Sequence, residues 1–76
     1  PEISNVYGDL SAWDNLMFTG ELYQVNRVER KRRAKELLEI FGLYDRRKEK
    51  AKDFSKGMKR RLTIAMGLIN IPNYSF

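Results

Sequence analysis

Three times along the 76 residues a short polar side chain stands just before a run of apolar residues spaced three and four apart: Ser11, Asn26 and Ser55. This pattern constrains the fold more than anything else in the chain. Ser and Asn accept a hydrogen bond from the backbone N–H groups that open a helix, and the spacing gathers apolar side chains on one helical face. The first helix is expected over 12–24, where Ser11 and Asp14 form a capping-box-like pair. Trp13, Leu16, Met17, Gly20 and Tyr23 make one face, while Phe18, Leu22 and Val25 make a second. So wide an apolar surface belongs to a central helix, or to one with a side left for another piece of protein.

Asn26 caps a second helix over 27–41, with Val28, Ala34, Leu37, Leu38 and Phe41 inward and Arg30, Lys31, Arg33 and Lys35 largely outward. Gly42 suits the left-handed position that closes a helix. Residues 45–50 read as a short polar helix with Asp45 as its cap. The last helix, over 56–69, carries Met58, Leu62, Ala65, Met66 and Ile69 on one face and Lys59, Arg60, Thr63, Gly67 and Asn70 on the other, and Pro72 ends it. The expected fold class is all-α: a small three- to four-helix bundle whose core holds Trp13, Leu16, Leu37, Leu38, Phe41, Leu62, Ala65 and Ile69.

The composition removes several kinds of chemistry. With no histidine and no cysteine, the chain can build neither a Ser-His-Asp nor a Cys-His arrangement, nor a zinc-thiolate site. Nor can disulfides brace it, and a chain this short buries only about 60–65% of its unfolded surface, so its core is thin. The longest nearly apolar stretch, 62–71, is too short to cross a bilayer, and a soluble chain is expected. The ends, at residues 1–2 and 74–76, read as cuts within a longer chain.

Charge is unevenly placed: residues 1–26 hold four acids and no base, and all 15 bases lie in 27–61. Clustered bases fit phosphate, nucleic acid or lipid partners. The run from Arg27 to Lys35, however, falls opposite an apolar stripe, as a solvated helix face does. Tyr7, Trp13 and Phe18 sit in the acidic first third, away from the bases, whereas an aromatic platform for single strands needs a basic groove beside it. Glu36 and Glu39, among bases at one-turn spacing, read as surface pairs.

The segment 54–62, Phe-Ser-Lys-Gly-Met-Lys-Arg-Arg-Leu, is the best candidate for chemistry. It sets Ser55, Lys56, Gly57 and Met58 at the start of a helix led by Lys56, Lys59 and Arg60. Unpaired N–H groups and a positive partial charge at such an end attract an anion. The plain alternative is a serine that only caps its helix.

The stretch 54–72 as a whole resembles the signature region of the ATP-binding cassette (ABC) ATPases: an aromatic or Leu residue, Ser-x-Gly-Gln/Met, a basic pair, a Leu-x-Ile-Ala stripe, and Pro past the helix end. Phe54, Ser55, Gly57, Met58, Arg60, Arg61, Leu62, Ile64, Ala65 and Pro72 fill those places. The start, Pro1-Glu2 and then Leu10 to Leu16, is similar to the Q-loop and the helix that follows it. Lys56 stands where the family most often has Gly, Met58 where it has Gln, and Glu2 where it has the Q-loop glutamine.

The resemblance implies that residues 1–76 are a single helical subdomain, a fragment with a Q-loop-like lead-in over 1–10 and the signature motif over 54–62. It implies that Ser55, Lys56, Gly57 and Met58 contact ATP held by a second ATPase subunit, and that Glu2 takes the Q-loop role. ATP and Mg2+ would be cofactors of the parent protein, held by a P-loop before residue 1 and an acidic strand after residue 76. No G-x-x-x-x-G-K-[ST] occurs within the chain, so neither hydrolysis nor tight ATP binding is expected of it alone. The implied partners are transmembrane transporter subunits and the second ATPase subunit, not nucleic acid. The implied location is the cytoplasmic face of a membrane. A small basic helical module that binds nucleic acid is the alternative; salt-dependent duplex binding separates the two.

Overall fold

The computed structural model describes residues 5–72. Glu2 and the tail beyond Pro72 lie outside the described residues. Among the described residues there are three α-helices and no strand: α1 (Ala12–Leu22), α2 (Arg27–Ile40) and α3 (Lys56–Leu68). Two 3-10 turns, Tyr44–Arg46 and Ala51–Asp53, lie between α2 and α3. The fold is all-α, as expected.

Each cap works as its residue type dictates. Ser11 Oγ accepts from the Asp14 N–H at 3.0 Å, Asn26 Oδ1 from the Glu29 N–H at 3.0 Å, and Ser55 Oγ from the Met58 N–H at 3.2 Å. The closing of α2 is equally local. Gly42 adopts φ 69°, its N–H donates to the Glu39 carbonyl, and the Leu43 N–H reaches the Leu38 carbonyl at 2.8 Å. These two bonds satisfy carbonyls that the helix end would otherwise leave bare.

The first helix ends two residues before the expected boundary by the same device on a different residue. Gln24 takes φ 62°, and the Val25 N–H bonds to the Gly20 carbonyl at 2.9 Å. Glutamine in that region carries a steric cost that glycine does not. Gln24→Gly is therefore expected to stabilise the protein by roughly 1 kcal/mol. A urea midpoint that rises at unchanged slope would register it; a lowered midpoint would mean that Gln24 makes contacts worth more than the strain it carries.

The core is formed by one face of each helix. Leu16, Leu37, Leu38, Leu62, Ala65, Met66 and Ile69 are fully buried, with Leu43, Ala51 and Phe54 closing it from the connecting segment. Trp13 and Phe41, expected in the core, pack against it half-buried. At Gly20 the stem of Arg30 packs onto α1: a Cβ there would stand 2.6 Å from Cγ of Arg30, so any larger residue would force that stem to move. Arg30 thus faces α1, and Val28, two residues earlier and about 200° around the helix, points into solvent at 79% exposure rather than inward.

Arg33 reverses its expected placement as well. It is buried, with Nε on Glu29 Oε2 at 3.1 Å and Nη1 donating to the Ile69 carbonyl at 3.1 Å, just past α3. From the other side, Arg61 Nη1 donates to the Phe41 carbonyl at 3.1 Å, just past α2. Each of the antiparallel pair α2 and α3 supplies an arginine to the other's C-terminal end, where bare carbonyls and the helix dipole favour a cation. The Glu29 carboxyl is held down to about 2, first by its bonds to Arg32 and then by Arg33. It stays ionised beside Arg33 across the physiological range.

The polar segment 45–50 does not form a helix capped by Asp45. Only the 3-10 turn Tyr44–Arg46 forms, and no side chain caps it. The reason lies across the molecule. The carbonyls of Arg47 and Glu49 accept the Trp13 and Ala12 N–H groups at 2.9 and 3.2 Å, so they serve α1 instead of a local helix. Ser11 and Lys50 meet there in an antiparallel bridge.

Candidate functional site: the N-terminus of the last helix

Phe54 is the extended residue at which the second 3-10 turn ends, and Ser55 follows it as cap of α3. Phe54 and Met58 are buried, 4% and 8% exposed, whereas Ser55, Lys56 and Gly57 between them are exposed. The loop is therefore pinned from below on both sides and presents three residues outward. Arg46 reinforces the pinning. Its guanidinium lies 5.8 Å from the Phe54 ring centroid, and Nη1 donates to Met58 Sδ at 3.3 Å. Glu49 holds the same guanidinium through two bonds of 2.9 Å, and Arg46 in turn keeps the Glu49 carboxyl below its ordinary range.

The helix openings differ in what their N–H groups meet. In α1, Ala12, Trp13, Asp14 and Asn15 all donate to protein acceptors. In α3, Met58 donates to Ser55 Oγ and Lys59 to the Ser55 carbonyl; among the described residues no acceptor lies on the Lys56 or Gly57 N–H. The opening of α2 also leaves its first two N–H groups without an acceptor among the described residues, but there the second position is the branched Val28. In α3 that position is Gly57, whose missing side chain faces open space: a Cβ there would meet no atom within 4 Å, and its φ is not in the left-handed region. Nothing in the described fold requires glycine there. Glycine leaves the backbone bare to whatever approaches from outside.

Beside this end runs an open groove of about 520 Å3, lined by Asn5, Val6, Lys56, Lys59, Arg60, Thr63 and Ile64. Its lysines and arginine add positive potential to that of the helix end. Ile64, in the Leu-x-Ile-Ala stripe with Leu62 and Ala65, is 45% exposed and faces this groove, while Leu62 and Ala65 are fully buried. Of the site residues expected from sequence, Ser55, Lys56 and Gly57 thus share one exposed corner, Met58 sits beneath them, and Glu2 lies outside the described residues.

Sequence reasoning missed the supports. Arg46 stood in a run of charges with nothing to single it out. Asn15 is fully buried and drew no role from the sequence, although an amide only five residues before the buried Gly20, inside a largely apolar helix, was a signal in its own right. Among the described residues no group of acidic side chains could hold a metal ion, and no helix is long and apolar enough to cross a membrane.

Comparison with known proteins reaches across every described element of the chain. The sequence family described as ABC transporter matches residues 2–76. The linearmycin resistance ATP-binding protein LnrL of Bacillus subtilis is 44% identical over 72 residues, covering 95% of this chain and 23% of the relative. The ABC transporter ATP-binding protein NatA of the same organism is 37% identical over 70 residues, covering 92% of this chain and 28% of the relative. The Nod factor export ATP-binding protein I of Cupriavidus pinatubonensis is 37% identical over 73 residues, covering 96% and 22%. The chain thus spans between about a fifth and three-tenths of the length of these relatives, and with the family match running through every helix, it belongs to the ABC transporter family of ATP-binding proteins.

Proposed function

We propose that residues 1–76 act as the helical subdomain that carries the signature motif of an ABC transporter's ATP-binding subunit, with Ser55, Lys56 and Gly57 reaching the γ-phosphate of ATP held by a second ATPase subunit. The observation that carries this reading is the exposed opening of α3, where a capping serine, two N–H groups and a glycine without a structural need for glycine are set on a buried base. A phosphate oxygen arriving there meets N–H donors, a hydroxyl and the positive helix end, and Gly57 lets it come close. Met58 contributes from beneath, by anchoring the loop through its buried side chain.

Members of the family use ATP with Mg2+ and pair with transmembrane subunits. In this reading those partners couple hydrolysis to movement of a substrate across a membrane. The Q-loop-like lead-in over 1–10, with Glu2, links this subdomain to the one that binds ATP. The chain holds no P-loop, so the nucleotide's own phosphates and metal are bound elsewhere in the assembly. The relatives' names speak of resistance to linearmycin and of Nod factor export, which supports an export role.

Gly57→Ala in the full-length ATP-binding protein tests the reading. Alanine removes backbone freedom and suits a helix better, so stability is expected to rise by a few tenths to about 1 kcal/mol. ATPase turnover is expected to fall even so, because the added methyl occupies the space through which phosphate approaches. A more stable protein with unchanged turnover would leave this end as a cap and nothing more.

A further inference from the structure

We propose that Asn15 is a positioning residue for the Ser55 loop, holding it in place through the segment that leads into α1. The proposal rests on the signature reading of Ser55 given above. Asn15 is fully buried, and its amide is committed entirely to the backbone of that lead-in. Oδ1 accepts from the Tyr7 N–H at 2.7 Å, and Nδ2 donates to the carbonyls of Tyr7, Leu10 and Ser11 at 3.0, 3.3 and 2.9 Å. One side chain thereby fixes residues 7–11 against α1, and because a buried amide left unpaired is costly, that arrangement resists change.

The lead-in is in turn paired with the chain that enters the site. The Lys52 N–H donates to the Gly8 carbonyl at 3.0 Å and the Ala51 N–H to the Leu10 carbonyl at 2.9 Å. Two residues on, the turn Ala51–Asp53 closes on Phe54 through the Phe54 N–H to Ala51 carbonyl bond of 3.1 Å, and Ser55 follows. Asn15 therefore sets residues 7–11, residues 7–11 set Ala51 and Lys52, and these set the cap of α3. The contact is tight: a Cβ on Gly8 would stand 3.3 Å from Cβ of Lys52, so even a methyl there must displace the paired segment by a few tenths of an ångström.

Two variants of the full-length ATP-binding protein test this, each made with Ser55 present and again with Ser55→Ala. Asn15→Ala removes all four amide bonds, and Gly8→Ala crowds the pairing while leaving the amide in place. If Asn15 acts through Ser55, Asn15→Ala lowers kcat by about fivefold or more while KM for ATP changes less than about twofold, and in the Ser55→Ala background the further loss is below about twofold. Gly8→Ala shows the same dependence on Ser55 with a smaller loss. Equal fold-losses in both backgrounds would overturn the proposal, since a residue that only holds the fold together acts whether or not Ser55 is present. Should Asn15→Ala fail to fold, Gly8→Ala decides alone by the same criterion. Full activity in Ser55→Asp would remove the signature reading itself, whereas an inactive Ser55→Asp alongside equal losses from Asn15→Ala in both backgrounds would remove this inference and leave that reading standing.

Discussion

Replacing Ser55 by Asp in the full-length ATP-binding protein is expected to give a well-folded molecule whose ATPase rate is cut at least about tenfold, equivalent to roughly 1.4 kcal/mol of transition-state stabilisation. The two roles open to Ser55 part company in this variant. As a cap, serine is replaced by a residue equally able to accept the Met58 N–H, now at 3.2 Å from Ser55 Oγ, and an acidic group at a helix start is favoured by the dipole. Stability should hold or rise slightly. As a phosphate contact, the same carboxylate sits where a γ-phosphate must arrive, and between two anions at close range with little water to screen them the repulsion outweighs anything the helix end offers. Steady-state ATPase assays together with a thermal melt read the two effects separately. Unchanged turnover with normal ATP-dependent dimerisation would show that Ser55 only caps.

A second large effect is expected inside the core. Leu62→Ala should destabilise the fold by about 2–5 kcal/mol, through lost burial and the cavity left behind. Leu62 is fully buried one turn past the exposed corner, among side chains from every helix. A domain of this size has on the order of 4–11 kcal/mol in all, so this one substitution removes a large share of it. The control lies two residues along the same helix. Ile64, 45% exposed over the groove, should lose no more than about 0.5 kcal/mol on truncation to Ala. Urea unfolding of both variants checks the contrast, with the midpoint shifting and the slope constant. Equal losses at the two positions would contradict the division of α3 into a core face and a groove face.

How much of this was legible beforehand depends on the range of the interaction that decides each feature. Helix starts were, because a cap is settled within four residues: Ser11, Asn26 and Ser55 each bond the N–H three positions on. The close of α2 was legible too, since Gly42 is the residue type that left-handed backbone favours. The end of α1 was not, because Gln24 adopts the same conformation at a cost that sequence gives no reason to expect. Periodicity marked the inner face of α3 correctly, from Met58 to Ile69, and it grouped Ser55, Lys56 and Gly57 at one helix opening.

Other features were decided only by tertiary structure. An arginine read by polarity belongs outside, and Arg33 is inside because α3 ends against it with a bare carbonyl. Segment 45–50 has helical composition, but its carbonyls bond to α1, whose opening would otherwise be unsatisfied. Val28 and Ile64 are apolar and turn outward because the faces that meet were set by Gly20 against Arg30 and by the antiparallel pairing of α2 with α3. Asn15 is polar and fully buried because the chain folds back over it and supplies four partners from residues 7–11. By itself the sequence determined helices, caps and the candidate corner, since hydrogen bonds within a turn and a 3.6-residue period act locally. Which polar side chains go inside was left to the assembled fold, because burying one is tolerable only where distant backbone completes its hydrogen bonds.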